Sequence, residues 1–169
     1  MIEDIIAQSH VLVDSLNFND GVIALSALRS ISESQSQAGP FAKLLGVTFH
    51  DFGNGQCRTS LEIKEHLLNP LGIAHGGAAF SLADSTCGGA ALSAVGGPRI
   101  VTQDIQIRYH GPAQLGVLEA EAEVLHHGQR TVTTNCRVSQ NEILLATVTA
   151  TFAILSDEEL NLIRGNPED

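Results

Sequence analysis

Cationic side chains are scarce in this chain. Nine Lys and Arg stand against nineteen Asp and Glu, a formal net charge of −10 with histidine neutral. No basic cluster offsets that balance, which argues against a general nucleic-acid binder. Cysteine is sparse too. Cys57, Cys87 and Cys136 are odd in number, widely spaced and without a Cys-x-x-Cys pair, so they read as reduced thiols. No apolar run is long enough to cross a bilayer. The opening Met-Ile-Glu-Asp-Ile-Ile is acidic where a secretion signal would be basic, so a cytoplasmic location and no membrane partner are expected. The seven histidines show no His-Glu-x-x-His or comparable spacing, and no metal site is expected. Gly-x-Ser-x-Gly is absent, which excludes a serine-nucleophile α/β hydrolase of the usual kind. No internal repeat appears.

What is present suits one domain with a sizeable core: 169 residues, 43% of them hydrophobic. Residues 2–16 space Ile2, Ile5, Ile6, Leu12, Val13 and Leu16 as an amphipathic helix. Asp20 is placed to cap a second helix. Residues 32–40 are polar and low in complexity, a linker, and Pro40 opens a short helical turn. From Gly46 the period changes to two. Residues 47–50 and 56–63 form a hairpin around Gly53-Asn54-Gly55, with Cys57, Thr59, Leu61 and Ile63 on its buried face. Four more strands are predicted near 100–109, 116–126, 130–138 and 142–155. On the first of them Ile105, Ile107 and Tyr109 alternate against Thr102, Asp104, Gln106 and Arg108.

Between the hairpin and those strands lies the stretch 69–95, NPLGIAHGGAAFSLADSTCGGAALSAV. It is the longest helix candidate and is apolar nearly all round, so it should be buried. His75-Gly76-Gly77 opens it with backbone N–H groups that no side chain covers, accessible to a ligand oxygen. Asp84 is the one ionisable residue within the helix, with Phe80, Cys87 and Gly88 a turn away, and a carboxylate in such company needs a reason. Gly96-Gly97-Pro98 ends the helix. A sheet of about six strands covering one face of a single long helix is an α+β arrangement. The absence of a second helical layer excludes a doubly wound fold.

The spacing Asn-x5-His-Gly-Gly-x4-Leu-Ala-Asp, followed by Val101-Thr102-Gln103-Asp104-Ile105 on the next strand, resembles the hotdog-fold acyl-CoA thioesterases. Within them it is most similar to the PaaI-like, phenylacetate-degradation branch. The similarity covers residues 41–155, between an N-terminal helical extension at 1–40 and a tail at 156–169. It implies a homodimer or dimer of dimers, with central helices side by side and composite sites. It implies an acyl-CoA substrate, coenzyme A being part of that substrate and not a cofactor. It places Asn69 and Thr102 where relatives hold the attacking water or the thioester. It places Gly128, Gln129, Arg130 and Thr131 in the turn where relatives bind coenzyme A phosphates, with Arg99 and Arg108 as further candidates.

The chemistry also follows from the residues. Thioester hydrolysis needs an oxyanion site and a group that delivers water or attacks directly. The N–H groups of Gly76 and Gly77, at the positive end of a helix, suit the first task. Asp84, its pKa raised by burial, suits the second as general base or nucleophile. His75 is placed to aim an imidazole N–H at the thioester or to lock the loop. Eight residues separate Gly76 from Asp84, about 12 Å at ~1.5 Å per residue, beyond an aspartate's reach. If both act on one carbonyl, they come from different chains with the helices roughly antiparallel, and small residues at Gly88, Gly89 and Ala91 would permit their close approach.

Each candidate has a structural reading as well. Asp84 could pair with a basic partner, although no Lys or Arg lies within one turn. Asn69 before Pro70 is a common turn residue, the glycines could relieve crowding, and Thr102 and Arg130 are ordinary on a strand and a surface. Two rival functions stand beside hydrolysis. One is a hotdog hydratase or dehydratase on acyl-CoA or acyl-carrier protein, faintly suggested by His66-Leu-Leu-Asn69-Pro70. The other is a non-catalytic acyl-CoA-binding protein, for which a buried acid has no use.

Overall fold

The computed structural model describes residues 39–97 and 99–165. The two helices expected before residue 39 lie outside the described residues. Helix α1 (Pro40–Leu45) begins on proline, whose fixed φ suits a first turn, and stops at Gly46 in the left-handed region. Strands β1 (Thr48–Gly53) and β2 (Gln56–Ile63) form a hairpin. Its turn residues Asn54 and Gly55 both carry positive φ, as a tight turn matched to sheet twist requires. A single 3-10 turn (Glu65–Leu67) leads to the long helix α2 (Gly76–Val95). Strands β3 (Ile100–Tyr109), β4 (Gly116–His127), β5 (Thr131–Gln140) and β6 (Ile143–Ile154) follow, and then helix α3 (Asp157–Arg164).

All six strands join one antiparallel sheet in the order β1-β2-β4-β5-β6-β3, wrapped around α2. Its inner face is built from alternate residues: Cys57, Thr59, Leu61 and Ile63 on β2, Leu118, Ala120 and Ala122 on β4, Val132, Thr134, Cys136 and Val138 on β5. Full burial of Leu61, Leu82 and Leu118 contributes about 1.5–3 kcal/mol apiece. One polar pair crosses this core, where the hydroxyls of Thr59 and Thr86 lie 2.6 Å apart. Thr86 also reaches the Leu82 carbonyl, so neither group is buried without a partner. The three cysteines are free and buried, and burial pushes the Cys57 thiol up to about 12.

Small residues let α2 lie close on the sheet. A Cβ at Gly89 would come within 2.6 Å of the Cys57 sulfur, so that position admits only glycine. Ala91 is likewise buried against the sheet. Of the three small residues expected to admit a second helix, Gly88 alone is only partly buried, and a Cβ there would touch the Phe152 ring.

Two local features depart from the sequence expectation. The alternation along β3 is broken between Thr102 and Asp104, where a bulge at Gln103 shifts the register. Thr102 pairs with the buried Phe152 and faces the helix, whereas Asp104, Gln106 and Arg108 pair with Thr151, Thr149 and Thr147 on the outer face. An inserted residue reverses the phase of everything on one side of it. The tail at 156–169 contains α3, opened by a capping box in which Ser156 and Glu159 satisfy each other's backbone N–H groups. Among the described residues no helix is long and apolar enough to cross a membrane.

Candidate active site

The start of α2 is built by its own N-cap. His75 Nδ1 accepts the Gly77 N–H at 2.9 Å. Two consequences follow for the expected oxyanion donors. The Gly77 N–H is already occupied, while the Gly76 N–H has no partner among the described residues. Because Nδ1 accepts, the neutral imidazole carries its proton on Nε2, which remains able to donate. His75 therefore locks the turn and keeps a donor at the same time.

Asn69 holds the preceding loop. Its Oδ1 accepts the Leu71 N–H at 2.9 Å, and its backbone bonds Ile73 and Gly72 around a glycine with φ +75°. This is the Asx turn expected of an asparagine before proline. It fixes the side-chain orientation, with Nδ2 the end left to donate. Asn69, His75 and Gly76 open on one cavity of about 430 Å³, floored by Ala79, Leu118 and Val138. Tyr109 lines it too, donating from its hydroxyl to the Gly76 carbonyl at 2.7 Å. The strand alternation places Tyr109 on the inward side, but nothing local announces a contact with a residue 33 positions away.

Asp84 sits two turns further along α2, half-buried. Thr102 donates its hydroxyl to Asp84 Oδ1 at 3.1 Å. Desolvation raises the Asp84 pKa above the ordinary carboxylate value, and the Thr102 hydrogen bond partly opposes the rise. The hydroxyl engages one oxygen and leaves Oδ2 for chemistry. Asp84 and Thr102 border a second cavity, of about 250 Å³, beside Gly88, Leu92 and Phe152.

The two cavities share no lining residue. One chain brings Asn69, His75 and Gly76 together, and Asp84 and Thr102 together, but not the two sets. A larger concavity of about 620 Å³ lies against β1, β2, β4 and β5, beside Arg58, Glu121 and Arg137, and contains none of the candidate residues.

The residues expected near phosphates fall at another edge. Gly128, Gln129 and Arg130 form the β4–β5 turn, closed by a bond from the Gly128 N–H to the Thr131 carbonyl. Arg130 pairs with Glu159 at 3.1 Å and Arg99 with Asp157 at 2.8 Å, both acids belonging to the first turn of α3. The basic groups are thus adjacent to α3 and already engaged by it. Arg108 is exposed on the outer face of β3, away from Thr102 and Asp84. Among the described residues no group of His, Cys, Asp and Glu is arranged to hold a metal.

A long buried helix wrapped by six antiparallel strands, with an open helix N-terminus and an acid two turns along, defines a hotdog-fold enzyme. The comparisons narrow that class. The thioesterase superfamily profile matches residues 71–147. Human acyl-coenzyme A thioesterase 13 is 30% identical over 105 residues, covering 61% of this chain and 75% of that protein. A conserved protein of Pseudomonas aeruginosa superposes with a TM-score of 0.69 at 34% identity, covering 72% of this chain and 98% of that one. A variant of the phenylacetic acid degradation protein PaaI from Thermus thermophilus gives a TM-score of 0.66 at 30% identity, covering 69% and 100%. The chain belongs to the thioesterase superfamily, in its PaaI-like hotdog branch, and is a thioesterase.

Proposed function

We propose that the protein hydrolyses acyl-CoA thioesters to free acid and CoA in a site shared by two chains. The Gly76 N–H of one subunit receives the thioester oxygen at the positive end of α2, where developing negative charge is stabilised most. Asp84 of the other subunit acts on the carbonyl carbon, as general base toward water or as nucleophile. Its raised pKa makes it, once ionised, a stronger base than an ordinary carboxylate. Thr102 holds one carboxylate oxygen and so aims the other. Asn69 Nδ2 and His75 Nε2–H supply further donors at the thioester end. The observation that carries the reading is the separation of the two half-sites into different cavities of one chain, with about 12 Å of helix between them.

Partners and place follow from it. The assembly is a homodimer with antiparallel central helices, and a dimer of dimers is its natural extension. Strand β3 forms one edge of the sheet and leaves Val101 and Tyr109 exposed beside both half-sites, which suits a face for a second copy. The β4–β5 turn with Arg130 and Arg99 receives the CoA phosphates, and the protein works in the cytoplasm.

Subunit mixing tests the shared site. Asp84→Asn and Asn69→Ala homodimers each carry two damaged sites, and Asp84→Asn alone should lower thiol release at least about a hundredfold. In a mixed dimer one site collects both lesions and the other neither, so exchange restores activity toward half the wild-type value per mixed dimer. Verified exchange without recovered activity overturns the shared site. Near-normal thiol release by folded Asp84→Asn overturns the role of the acid.

A further inference from the structure

Asp84, Gly88 and Leu92 follow one another at single-turn steps along α2 and line the same 250 Å³ cavity. From these positions we infer that the cavity is the chamber for the acyl group, that it takes apolar, uncharged acyl groups, and that Gly88 sets its depth. The inference deepens the hydrolase reading and rests on it.

The chemistry of the walls selects the class of acyl group. Phe49, Phe52 and Phe152, three of the six phenylalanines in the chain, line the cavity together with Leu92. Among the described residues no Lys or Arg borders it, and Asp84 is the one charged group that does. A dicarboxylic acyl group would bring a second carboxylate beside Asp84 with no cation to meet it. The volume lies below the roughly 300–1,000 Å³ of pockets that enclose drug-sized ligands, enough for an acyl chain or aryl group but not for the nucleotide of CoA.

Gly88 is singled out by what does not require it. Glycine within a helix costs about 1 kcal/mol relative to alanine. At Gly89 the cost has a packing cause, since a Cβ there would meet the Cys57 sulfur at 2.6 Å. At Gly88 a Cβ would meet only the Phe152 ring, at 3.7 and 3.9 Å, which is ordinary contact. Sheet packing therefore admits a larger residue at 88, and what the missing side chain preserves is the open floor of the chamber. Successive steps from Asp84 to Gly88 to Leu92 are about 6 Å each, so a side chain at 88 would stop an acyl chain one helical turn from the acid.

The test is the hydrolysis of straight-chain acyl-CoAs from acetyl to dodecanoyl, with an arylacyl-CoA and glutaryl-CoA, by wild type, Gly88→Val and Leu92→Ala. Thermal stability and oligomer mass are measured in parallel. The wild type should turn over linear and arylacyl groups and reject glutaryl. Gly88→Val should lower kcat/KM for long relative to short acyl groups by about tenfold or more, the scale on which an apolar pocket discriminates by size. Leu92→Ala should move the preference the other way. An unmoved chain-length profile in both folded variants overturns the assignment. So does a KM increase uniform across acyl lengths, which would place the pantetheine arm in the cavity, or dissociation of the Gly88→Val oligomer, which would make Gly88 a helix-contact glycine. Failure of the hydrolase reading has a different signature, namely no thiol release by the wild type from any acyl-CoA.

Discussion

The hydroxyl of Tyr109 donates a 2.7 Å hydrogen bond to the carbonyl of Gly76, joining the last residue of β3 to the first residue of α2. The approach is close enough that a Cβ on Gly76 would lie 3.1 Å from the phenol oxygen. The edge strand thus steadies the turn of Gly76, which lines the 430 Å³ cavity. Tyr109→Phe keeps the ring and removes the bond. It should lower kcat by roughly fivefold, the equivalent of about 1 kcal/mol, with KM little changed. Steady-state kinetics with a melting curve checks this. A loss of stability with kcat intact would make Tyr109 a packing residue only.

Asp84 should weaken the fold that it serves. Its folded pKa is raised, so the native state binds its proton more tightly than the unfolded chain does. The associated stabilisation is present below the unfolded value and is lost as pH rises through the folded value. Above the folded value the half-buried carboxylate is ionised and is a net cost. Asp84→Asn, which still accepts the Thr102 hydroxyl, should therefore raise Tm at pH 7 and lose that advantage as the pH falls toward 4. Tm measured against pH for both proteins decides it; a variant less stable than wild type at neutral pH contradicts the prediction.

Glu159 competes for the arginine expected to meet phosphate. The Arg130–Glu159 pair is exposed, and such pairs contribute at most about 1 kcal/mol. Glu159→Gln keeps an acceptor for the Ser156 N–H and so preserves the helix cap while freeing the guanidinium. KM for CoA thioesters should fall by up to about fivefold at low salt, with pantetheine thioesters unaffected. Equal changes on both substrates would separate Arg130 from the nucleotide.

The features readable in the sequence were those carried by period and spacing. The long helix runs from Gly76 to Val95 as its apolar content and terminal glycines imply, and β2 and β3 fall on the expected residues. Asp84 was legible as a candidate because a lone acid in an apolar helix violates the ordinary pattern, and Thr102 through the resemblance to the hotdog thioesterases. Their contact was not, since it depends on a bulge that reverses the facing of Thr102, and no local residue marks Gln103 as the extra one. Gly88 and Gly89 look alike in sequence and differ only by what stands opposite them. Tyr109 shares a side of β3 with Ile105 and Ile107 in the sequence pattern, but its partner is fixed by tertiary packing alone. Helix α3 could have been found: Ser156-Asp157-Glu158-Glu159 before Leu160 is a capping-box signature, overlooked in a short terminal stretch.

The bulge at Gln103 also governs which kinds of genetic change this enzyme tolerates. Substituting Gln103, exposed and with no side-chain bond among the described residues, leaves the strand path alone. Deleting it would remove the extra residue and leave Thr102 and Asp104 as neighbours opposite Phe152 and Thr151, each facing as it does now. The same one-codon loss between Ile105 and Tyr109, where the pairing is regular, has no spare residue to absorb it and would turn part of the strand over. The bulge therefore makes its own neighbourhood tolerant of a lost codon, while the regular stretch beyond it is not.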